Sequence, residues 1–564
     1  MVGATGDGDR LVPPAGDVAA DPRPGRLAGL VPAVGWLTHY RRAWLRPDVV
    51  AALTTWALVV PQAIAYAQIA DLPPQAGLFA AFAGLLGYAL LGSSRQLIVS
   101  PTSSTAAITA ALVAPVAGGD VARFGALAAS LAILVGLVLA LLGLLHMGFV
   151  SRFISAGVQA GFMFGLGLTI IVGQVPKLLG VPPGDGDFFP QLGHLLTSLD
   201  DANLWTAAIG LGSLAVLFAA KRVAPTLPAA LAVVVAGIAV VALFGLTGHG
   251  VAVIGRVEGA VPTLVLPAVG WRDLTALLPG ALAIAVIGYA ESATVAESLA
   301  DEHGDTVRPD RELLAIGGAN VLAGLFQGFI TGGGASQSAA NDRAGARTQL
   351  VSLLVSGLTV LTAVALLPLF RDLPHAVLGA IVISAVAGFL NLPALRRIAR
   401  LRRDAFVLAM LALAGVLVFG VLGGLLLAVV LSILLLLDRQ SRPGSTVRAE
   451  PGLLVLRLDA PMLFINAKLV RDRVREQLAA ATGPVRIVLV DLRFSHDLDV
   501  EGLDVLAALH AELAQRGVEL WLGNVRATVH ERLRRGGLAA TIGEAHLYRD
   551  LADAAPDVRA ALGG

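Results

Sequence analysis

The sequence predicts an α-helical polytopic membrane protein followed by a small α/β domain. Of its 564 residues, 56% are hydrophobic and only 14% are charged, whereas a soluble protein carries about a quarter charged residues. Apolar stretches recur between residues 49 and 438, and a pattern of alternating strands and helices follows them. These two patterns indicate a membrane-spanning region at 36–438 and a separate domain at 446–562.

Fourteen apolar segments can be distinguished, seven in each half of the spanning region. They lie at 49–70, 76–92, 102–117, 121–146, 154–175, 203–220, 227–246, 273–299, 312–329, 335–345, 348–369, 374–390, 404–420 and 421–438. The third and tenth are too short to cross alone, because a full crossing takes about 20 residues. Since each half holds an odd number of segments, the second repeat (273–438) must be inverted relative to the first (49–246).

The distribution of charge in the connections predicts the orientation. With a cytoplasmic N-terminus, basic residues fall in the cytoplasmic connections, at Arg95, Arg152, Lys221, Arg222, Arg308, Arg311, Arg343, Arg347, Arg396, Arg397, Arg400, Arg402 and Arg403, and after the last segment at Arg439 and Arg442. The other connections hold Asp71, Asp120, Asp185 and Asp187 with few basic residues. This is the positive-inside pattern, so we expect a multi-pass plasma-membrane protein with both termini in the cytoplasm.

The two ends of the chain differ in character. Residues 1–35 are rich in Gly, Pro, Asp and Ala and lack the pattern of a signal peptide, so we expect a disordered cytoplasmic tail. In the C-terminal region, strand patterns near 453–458, 486–492 and 518–523 alternate with helical spacing at 466–480, 501–515 and 527–536. This alternation predicts one cytoplasmic α/β domain of about 110 residues.

The third and tenth segments are interrupted by polar residues. Three glycines at 332–334 discourage a continuous helix, and Ser336, Gln337 and Ser338 follow where a new helix could begin. In the first half, Pro101 and the hydroxyl residues 102–105 suit the start of a helix in the same way. Helix starts attract anions, and paired interruptions indicate a transporter binding site. The alternative is two polar re-entrant loops that bind no ligand.

Three further polar residues lie within the apolar segments. Glu291 is deep in the eighth segment, and burial in a low-dielectric pocket favours the neutral form of a carboxyl group. A protonated carboxyl would not repel a substrate anion, so Glu291 is a candidate for proton coupling; a structural hydrogen-bonding role is the alternative. Gln62 and Tyr66 lie four residues apart on one face of the first helix, where they could line a polar cavity or join helices.

Other classes of function are not indicated. Without cysteine, disulfides and thiolate chemistry are excluded, and the histidines show no metal-ligand spacing. No phosphate-binding loop, nucleophile–base set or metal cluster points to ATP-driven transport or to an enzyme. The net charge of +1 gives no basis for nucleic-acid binding. We therefore expect no cofactor and a coupling ion, most simply a proton, with sodium as the alternative.

Several motifs resemble the sulfate permease (SulP) family of anion transporters. They are Pro61–Ala67, Leu72–Phe79, Gly92–Thr102, Asp310–Asn320 and Ala344–Gln349. The C-terminal domain resembles a STAS domain, the usual tail of this family. The resemblance covers nearly the whole chain from about residue 36 onward.

The resemblance implies a fold and a site. It implies seven-plus-seven inverted repeats arranged as core and gate domains, with elevator-type movement of one against the other. The anion would lie between half-helices three and ten, beside helix one. Carried over, the site would use Gln62, Tyr66, Thr102, Ser103, Ala335, Ser336, Gln337 and Ser338. STAS domains are often implicated in dimer contacts, which implies a homodimer.

Three positions depart from the family pattern. Many relatives have an arginine aligned with Gln337, and without that cation a dianion such as sulfate would be held less well. Sodium-dependent bicarbonate relatives have an acidic residue matching Glu291 and a threonine four residues later, but this chain has Val295, with Thr294 adjacent. Finally, Val500 follows Asp499 where phosphorylated STAS domains have Ser or Thr.

These observations predict a secondary transporter of small anions, with sulfate, bicarbonate, chloride and small carboxylates as candidates, coupled to protons. Three alternatives stay open. The chain could be a sodium-dependent bicarbonate symporter, or a nucleobase symporter of similar architecture, although the latter normally lack a STAS tail. It could also be a membrane signalling scaffold that acts through its STAS domain. We do not expect an enzyme, because the sequence shows no nucleophile–base or metal constellation.

Overall fold

A computed structural model describes residues 32–149, 155–184, 186–224, 228–256, 259–481 and 483–563 of the chain. Residues 1–31 of the predicted tail, Arg152 and Asp185 lie outside these ranges. The chain divides into two compact units, and the boundary in the sequence lies between Ser432 and Ile433.

The first unit is built almost entirely of helices. Its first half contains α1 (Pro32–Thr38), α2 (Leu45–Ile69), α3 (Pro74–Leu91), β1 (Val99–Ser100), α4 (Ser103–Ala117), α5 (Val121–Leu144), α6 (Ala156–Leu179), α7 (Phe188–Thr197), α8 (Leu204–Val223) and α9 (Ala229–Phe244). Its second half contains α10 (Trp271–His303), α11 (Pro309–Leu325), β2 (Gly332–Gly333), α12 (Ala335–Arg343), α13 (Leu350–Leu361), α14 (His375–Val386), α15 (Leu392–Leu401) and α16 (Arg403–Ser441), which runs on into the second unit.

The helices confirm a polytopic membrane protein. Nine helical stretches in the described ranges are long and apolar enough to cross a bilayer, and α4 and α9 are shorter apolar helices. Each predicted segment overlaps a helix. The thirteenth and fourteenth segments both lie in α16, which consists of two helical parts separated by a kink at Gly420, where φ is 71° and ψ is 178°. Because only glycine adopts such a conformation readily, Gly420 bends the chain between these two segments. The count of fourteen crossings stays a prediction.

The helices of the first unit pack in two sets. In one set, α11 lies against α5 and α3, α13 lies against α3 and α2, and α10 lies against α5. In the other, α14 lies against α8 and α6. Glycines allow the close approaches: a Cβ on Gly317 would lie 2.8 Å from the carbonyl oxygen of Gly136, and one on Gly161 would lie 1.9 Å from that of Ala409.

The second unit confirms the predicted α/β domain. Its elements are β3 (Ser445–Glu450), β4 (Leu453–Leu458), α17 (Ala467–Ala480), β5 (Ile487–Asp491), α18 (Val500–Gln515), β6 (Glu519–Gly523), α19 (Ala527–Arg535), α20 (Leu538–Ile542) and α21 (Leu551–Gly563). The strands form one sheet in the order β3-β4-β5-β6, antiparallel between β3 and β4 and parallel thereafter.

The start of α18 has a structural explanation. Asp499 accepts the backbone N–H of Gly502 over 2.8 Å, and its second oxygen accepts the N–H of Phe464 over 2.5 Å. This carboxylate therefore caps the helix and ties it to the preceding loop. Its position is set by these backbone contacts, whatever residue follows it in the sequence.

Candidate functional site

The two interrupted segments meet at a short antiparallel ladder. Val99 pairs with Gly333 and Ser100 pairs with Gly332, so β1 and β2 lie side by side. Helix α4 begins three residues after β1 ends, and α12 begins two residues after β2 ends. Because the strands that lead into them are paired, the starts of the two short helices are brought together within the first unit.

The start of α12 is not capped by a side chain. Its N-cap residue is Gly334, whose own N–H donates to the carbonyl of Ile98. In the described chain, the backbone N–H groups of Ala335, Ser336 and Gln337 have no acceptor, as expected for the first turn of a helix. Ala335 and Ser336 are exposed. These groups form a ready set of neutral donors for an anion.

The hydrogen-bonded side-chain amides of Gln337 and Gln62, here called the amide bracket, hold the start of α12 in place. The Gln337 amide donates to Gln62 Oε1 on α2 over 2.9 Å, and its oxygen accepts the Ser100 hydroxyl over 2.5 Å. All three side chains are buried. The Gln337 side chain therefore links α12 to α2 and β1. Only its backbone N–H remains available to a ligand. The buried Ser338 hydroxyl likewise accepts the Ile98 N–H over 2.9 Å.

The start of α4 is capped. Thr102 accepts the backbone N–H of Thr105 over 3.2 Å, and the Thr105 hydroxyl accepts the N–H of Thr102 over 3.0 Å, which completes a capping box. Thr102 and Ser103 are both buried. The phenol of Tyr66 on α2 faces the Ser103 hydroxyl. Here the polar groups chiefly satisfy one another.

Helix α10 contacts both interrupted segments through neighbouring residues. Glu291 accepts the hydroxyl of Ser104, on α4, over 3.0 Å. The next residue, Ser292, accepts the N–H of Gly333, on β2, over 2.8 Å. Glu291 is half-buried, whereas Glu297, six residues later, is exposed. The carboxyl group predicted for proton coupling thus lies within hydrogen-bonding distance of the first turn of α4.

Residues of the family motifs fix the chain just before β1 and β2. Asn320 binds the N–H of Thr331 over 2.8 Å and its carbonyl over 3.0 Å, which fixes the chain just before β2. Buried Glu312 accepts the Tyr88 phenol over 2.8 Å and the backbone N–H of Ser93 over 2.9 Å, before β1. These carboxyl and amide groups are fully engaged in structural contacts, which is a reason for their presence in the motifs.

A third contact of this kind lies after α12. The buried Asp48 carboxylate, at the start of α2, accepts the N–H of Arg347 over 2.7 Å and the Thr348 hydroxyl over 2.7 Å. The Gln349 amide donates to the carbonyls of Ser94 and Leu97 over 2.9 and 3.0 Å. The chain on both sides of the two helix starts is therefore fixed.

Several of these contacts were not predicted from the sequence. Ser100, Ser104 and Ser292 bond to residues far away in the chain, and Asn320 bonds to Thr331, 11 residues later. The hydroxyl run 102–105 marks Ser104 as part of a helix start but does not show its partner, and a lone hydroxyl or amide elsewhere carries no pattern that would single it out. In the sequence, Asn320 stands out only as the last residue of the Asp310–Asn320 motif. By contrast, the predicted residues Gln62, Tyr66, Thr102, Ser103, Ala335, Ser336, Gln337 and Ser338 gather at the two helix starts or on α2 beside them.

The electrostatic character of the site is simple. In the described part of the chain, no Lys or Arg side chain bonds to any of these eight residues or to Glu291. The described residues also contain no group of three or more His, Asp or Glu side chains placed to hold a metal ion. The arrangement therefore offers neutral N–H donors and one carboxyl group, a set suited to a small anion and a proton.

Comparisons with known proteins agree with this architecture. A sequence model of the sulfate permease family matches residues 45–412, and one of the STAS domain matches residues 445–554. The probable sulfate transporter Rv1739c of Mycobacterium tuberculosis (strain ATCC 25618 / H37Rv) is 38% identical over 543 residues, covering 93% of this chain and 97% of that protein. Sulfate transporter 1.1 of Arabidopsis thaliana is 26% identical over 572 residues, covering 94% and 88%.

Solved structures show the same fold at lower identity. The murine anion transporter Slc26a9 in its inward-facing state aligns with a TM-score of 0.87 and 22% identity, covering 95% of this chain and 94% of that one. The transmembrane domain of the cyanobacterial bicarbonate transporter BicA aligns with a TM-score of 0.61 and 22% identity, covering 69% and 98%. At these identities the likeness concerns the fold alone.

Proposed function

The chain belongs to the sulfate permease family of anion transporters, and on that basis we propose that it is a proton-coupled secondary transporter of small anions. One observation carries the proposal: the β1–β2 ladder brings an uncapped helix start and a capped helix start together, next to Glu291. The two sequence relatives named above are called a probable sulfate transporter and a sulfate transporter, which supports an inorganic anion as the substrate.

The anion would bind at the first turn of α12. The N–H groups of Ala335, Ser336 and Gln337 have no acceptor in the described chain and point from the positive end of the helix dipole. Backbone N–H groups fixed in this way bind an anion without reorganising. Gln62 and Tyr66 on α2 would complete the wall of the site.

Glu291 would carry the coupled proton. Two unit negative charges about 6 Å apart repel each other by about 3 kcal/mol at an effective dielectric constant of about 20, so a charged Glu291 next to the site would oppose anion binding. Protonation removes that repulsion, so the anion and the proton bind together and leave together. Alternating access would then move one of the two helix sets against the other in the manner of an elevator.

The charge of the site favours monovalent anions over sulfate. Without a cation among its described contacts, the site offers neutral donors, and one proton on Glu291 compensates one negative charge of the substrate. A dianion would keep an uncompensated charge in a low-dielectric environment. Bicarbonate, chloride or a small carboxylate would therefore be taken up more readily than sulfate.

Residue 295, which a sodium site would use as a ligand, is a valine in this chain. Val295 lies four residues after Glu291, one turn along α10, and offers no oxygen ligand from its side chain. We therefore favour proton coupling over a sodium-dependent bicarbonate symporter. We also propose a plasma-membrane homodimer with cytoplasmic termini, because the basic connections and the STAS domain support that arrangement.

Proteoliposome uptake under imposed ion gradients tests the function. We expect a proton gradient to drive accumulation of a monovalent anion, and Glu291→Gln to reduce this accumulation at least tenfold. Glu297→Gln is the matched control, because this exposed carboxyl group lies on the same helix away from the site. Uptake that ignores the proton gradient, or survives in Glu291→Gln, would refute the coupling.

Three further outcomes distinguish the alternatives. Accumulation that follows a sodium gradient would favour the sodium symporter. Absence of anion binding, together with specific capture of a partner by the STAS domain, would favour a signalling scaffold. Uptake of a nucleobase in preference to small anions would favour a nucleobase symporter.

A further inference from the structure

A chain of hydroxyl groups joins Glu291 to the cap of α4. Ser104 Oγ donates to Glu291 Oε2 over 3.0 Å and lies 2.9 Å from Thr102 Oγ1. Thr102 Oγ1 accepts the backbone N–H of Thr105 in the capping box. Ser104 is 2% exposed and Thr102 is 9% exposed, so water has little access to replace either hydroxyl.

The single hydroxyl hydrogen of Ser104 makes this chain sensitive to protonation. When Glu291 is charged, that hydrogen is committed to the carboxylate, and the Thr102 hydroxyl can donate to Ser104. When Glu291 is protonated, its own O–H can donate to Ser104 Oγ. The Ser104 hydrogen then turns to Thr102 Oγ1, and the Thr102 hydrogen turns to Thr105 Oγ1, which lies 3.2 Å away. The direction of the hydrogen bonds between Glu291 and Thr102 therefore reverses with the arrival of one proton.

Few charged or titratable groups compete for Glu291. On α2, Tyr66 is a titratable group that interacts electrostatically with Glu291. Near the two ends of α10, the titratable groups have other partners. Arg123 of α5 pairs with Asp273 at 2.7 Å, and His303 pairs with Asp342 of α12 at 2.6 Å. Glu297 is exposed to solvent. Among the described residues, the hydrogen bond to the Glu291 carboxyl group comes from Ser104.

We propose that Ser104 is a positioning residue that transmits the protonation state of Glu291 to the first turn of α4, which the β1–β2 ladder holds beside α12. This inference rests on the proposed proton coupling. Ser104 favours the charged carboxylate by donating to it, and so sets the pH range over which the transporter loads its proton. It also makes the first turn of α4 respond to that proton.

The pH profile of anion uptake in Ser104→Ala tests the inference. Uptake requires protonated Glu291, so it falls as pH rises. Removal of a donor to the charged form extends the protonated form to higher pH. We expect the pH of half-maximal uptake to rise by about one to two units, from the strength of a hydrogen bond to a charged group. The KM for the anion at low pH, where Glu291 is already protonated, should change less than twofold.

Two variants serve as controls. Ser104→Thr keeps the hydroxyl and should restore the wild-type profile. Thr109→Ala removes a buried hydroxyl from the same helix, and among the described residues this hydroxyl bonds only to the Thr105 carbonyl, over 2.7 Å. The pH profile of Thr109→Ala should therefore match the wild type. If Ser104→Ala also matches the wild type, the role of Ser104 is refuted.

The same experiment separates this failure from failure of the function. If Glu291→Gln abolishes the response to pH while Ser104→Ala leaves it in place, the coupling stands and only the role of Ser104 falls. If uptake by the wild type itself ignores pH, proton coupling falls, and the proposed role of Ser104 falls with it. A shift that appears equally in Ser104→Ala and Ser104→Thr would point to packing rather than to the hydroxyl.

Discussion

The starts of α4 and α12 occupy corresponding places in the two halves of the chain, but their polar groups are used differently. The first turn of α4 is buried and capped by Thr102, and Ser104 bonds to Glu291. The first turn of α12 follows Gly334, which offers no side-chain cap, and its first residues, Ala335 and Ser336, are exposed. The start of α4 is buried and partly capped by its own side chains, whereas the start of α12 has no side-chain cap and is open.

This difference suggests how two copies of one element can take separate roles. An anion requires N–H groups that nothing else has claimed, and α12 retains three of them in the described chain. A carboxyl group that changes its protonation state requires donors that can reorient, and the hydroxyls of α4 provide these. On our proposal, α12 binds the anion and α4 responds to the proton.

The largest effect should come from the amide bracket that holds the open start in place. Gln337→Ala or Gln62→Ala would leave a buried amide or the Ser100 hydroxyl without its partner, at a cost of about 1–3 kcal/mol. We expect each variant to lower uptake at limiting anion concentration about tenfold. Because the two side chains act through one bond, the double variant should lose little more than either single one. Independent, multiplying losses would show that the bracket is not a unit.

A smaller effect should follow from filling the space at Gly334. A Cβ there would lie 2.2 Å from Gln337 Oε1 and would push the amide away from Ser100. The backbone itself tolerates alanine, since φ at Gly334 is −81°. We therefore expect Gly334→Ala to lower uptake about fivefold while the protein still folds. Gly357→Ala is the control, because nothing lies within 4 Å of a Cβ at that position. Equal uptake by the two variants would contradict the role of the bracket.

The backbone features of the site could be predicted from the sequence. Pro101 and Thr102 mark a helix start, and the glycines at 332–334 mark a break, because both patterns act on the chain locally. The boundary expected between residues 420 and 421 likewise falls at the break of α16 at Gly420. Such positions depend on what a residue does to its own φ and ψ.

The partners across the site could not be predicted in this way. Ser104 and Glu291 are 187 residues apart, and Ser100 and Gln337 are 237 residues apart. Which hydroxyl meets which carboxyl group depends on how α10 packs against α4 and β2, and that packing uses apolar and small residues that fit many arrangements. The ladder between β1 and β2 spans only two residues in each strand, too few to show the alternation by which strands are recognised.

The smallest expected effects come from single substitutions at the two helix starts. These substitutions should change the thermal unfolding midpoint for α4 but not for α12. Thr102→Ala removes a cap that is worth about 1 kcal/mol, so it should lower the thermal unfolding midpoint. Thr102→Ser should preserve that midpoint. Ser336→Ala removes an exposed hydroxyl that bonds to no other described residue, so the midpoint should not change.

The KM for the anion should respond more to the substitution in α12 than to the one in α4. Because Ser336 faces the proposed binding position, we expect Ser336→Ala to raise the KM about two- to fivefold at a pH where Glu291 is protonated. Thermal unfolding and uptake kinetics of the same purified variants provide both readouts. If Ser336→Ala lowers the midpoint and leaves the KM unchanged, α12 is not the open start that its geometry indicates. The anion must then be held by the remaining donors of α4, the N–H groups of Ser103 and Ser104, for which no acceptor is found in the described chain.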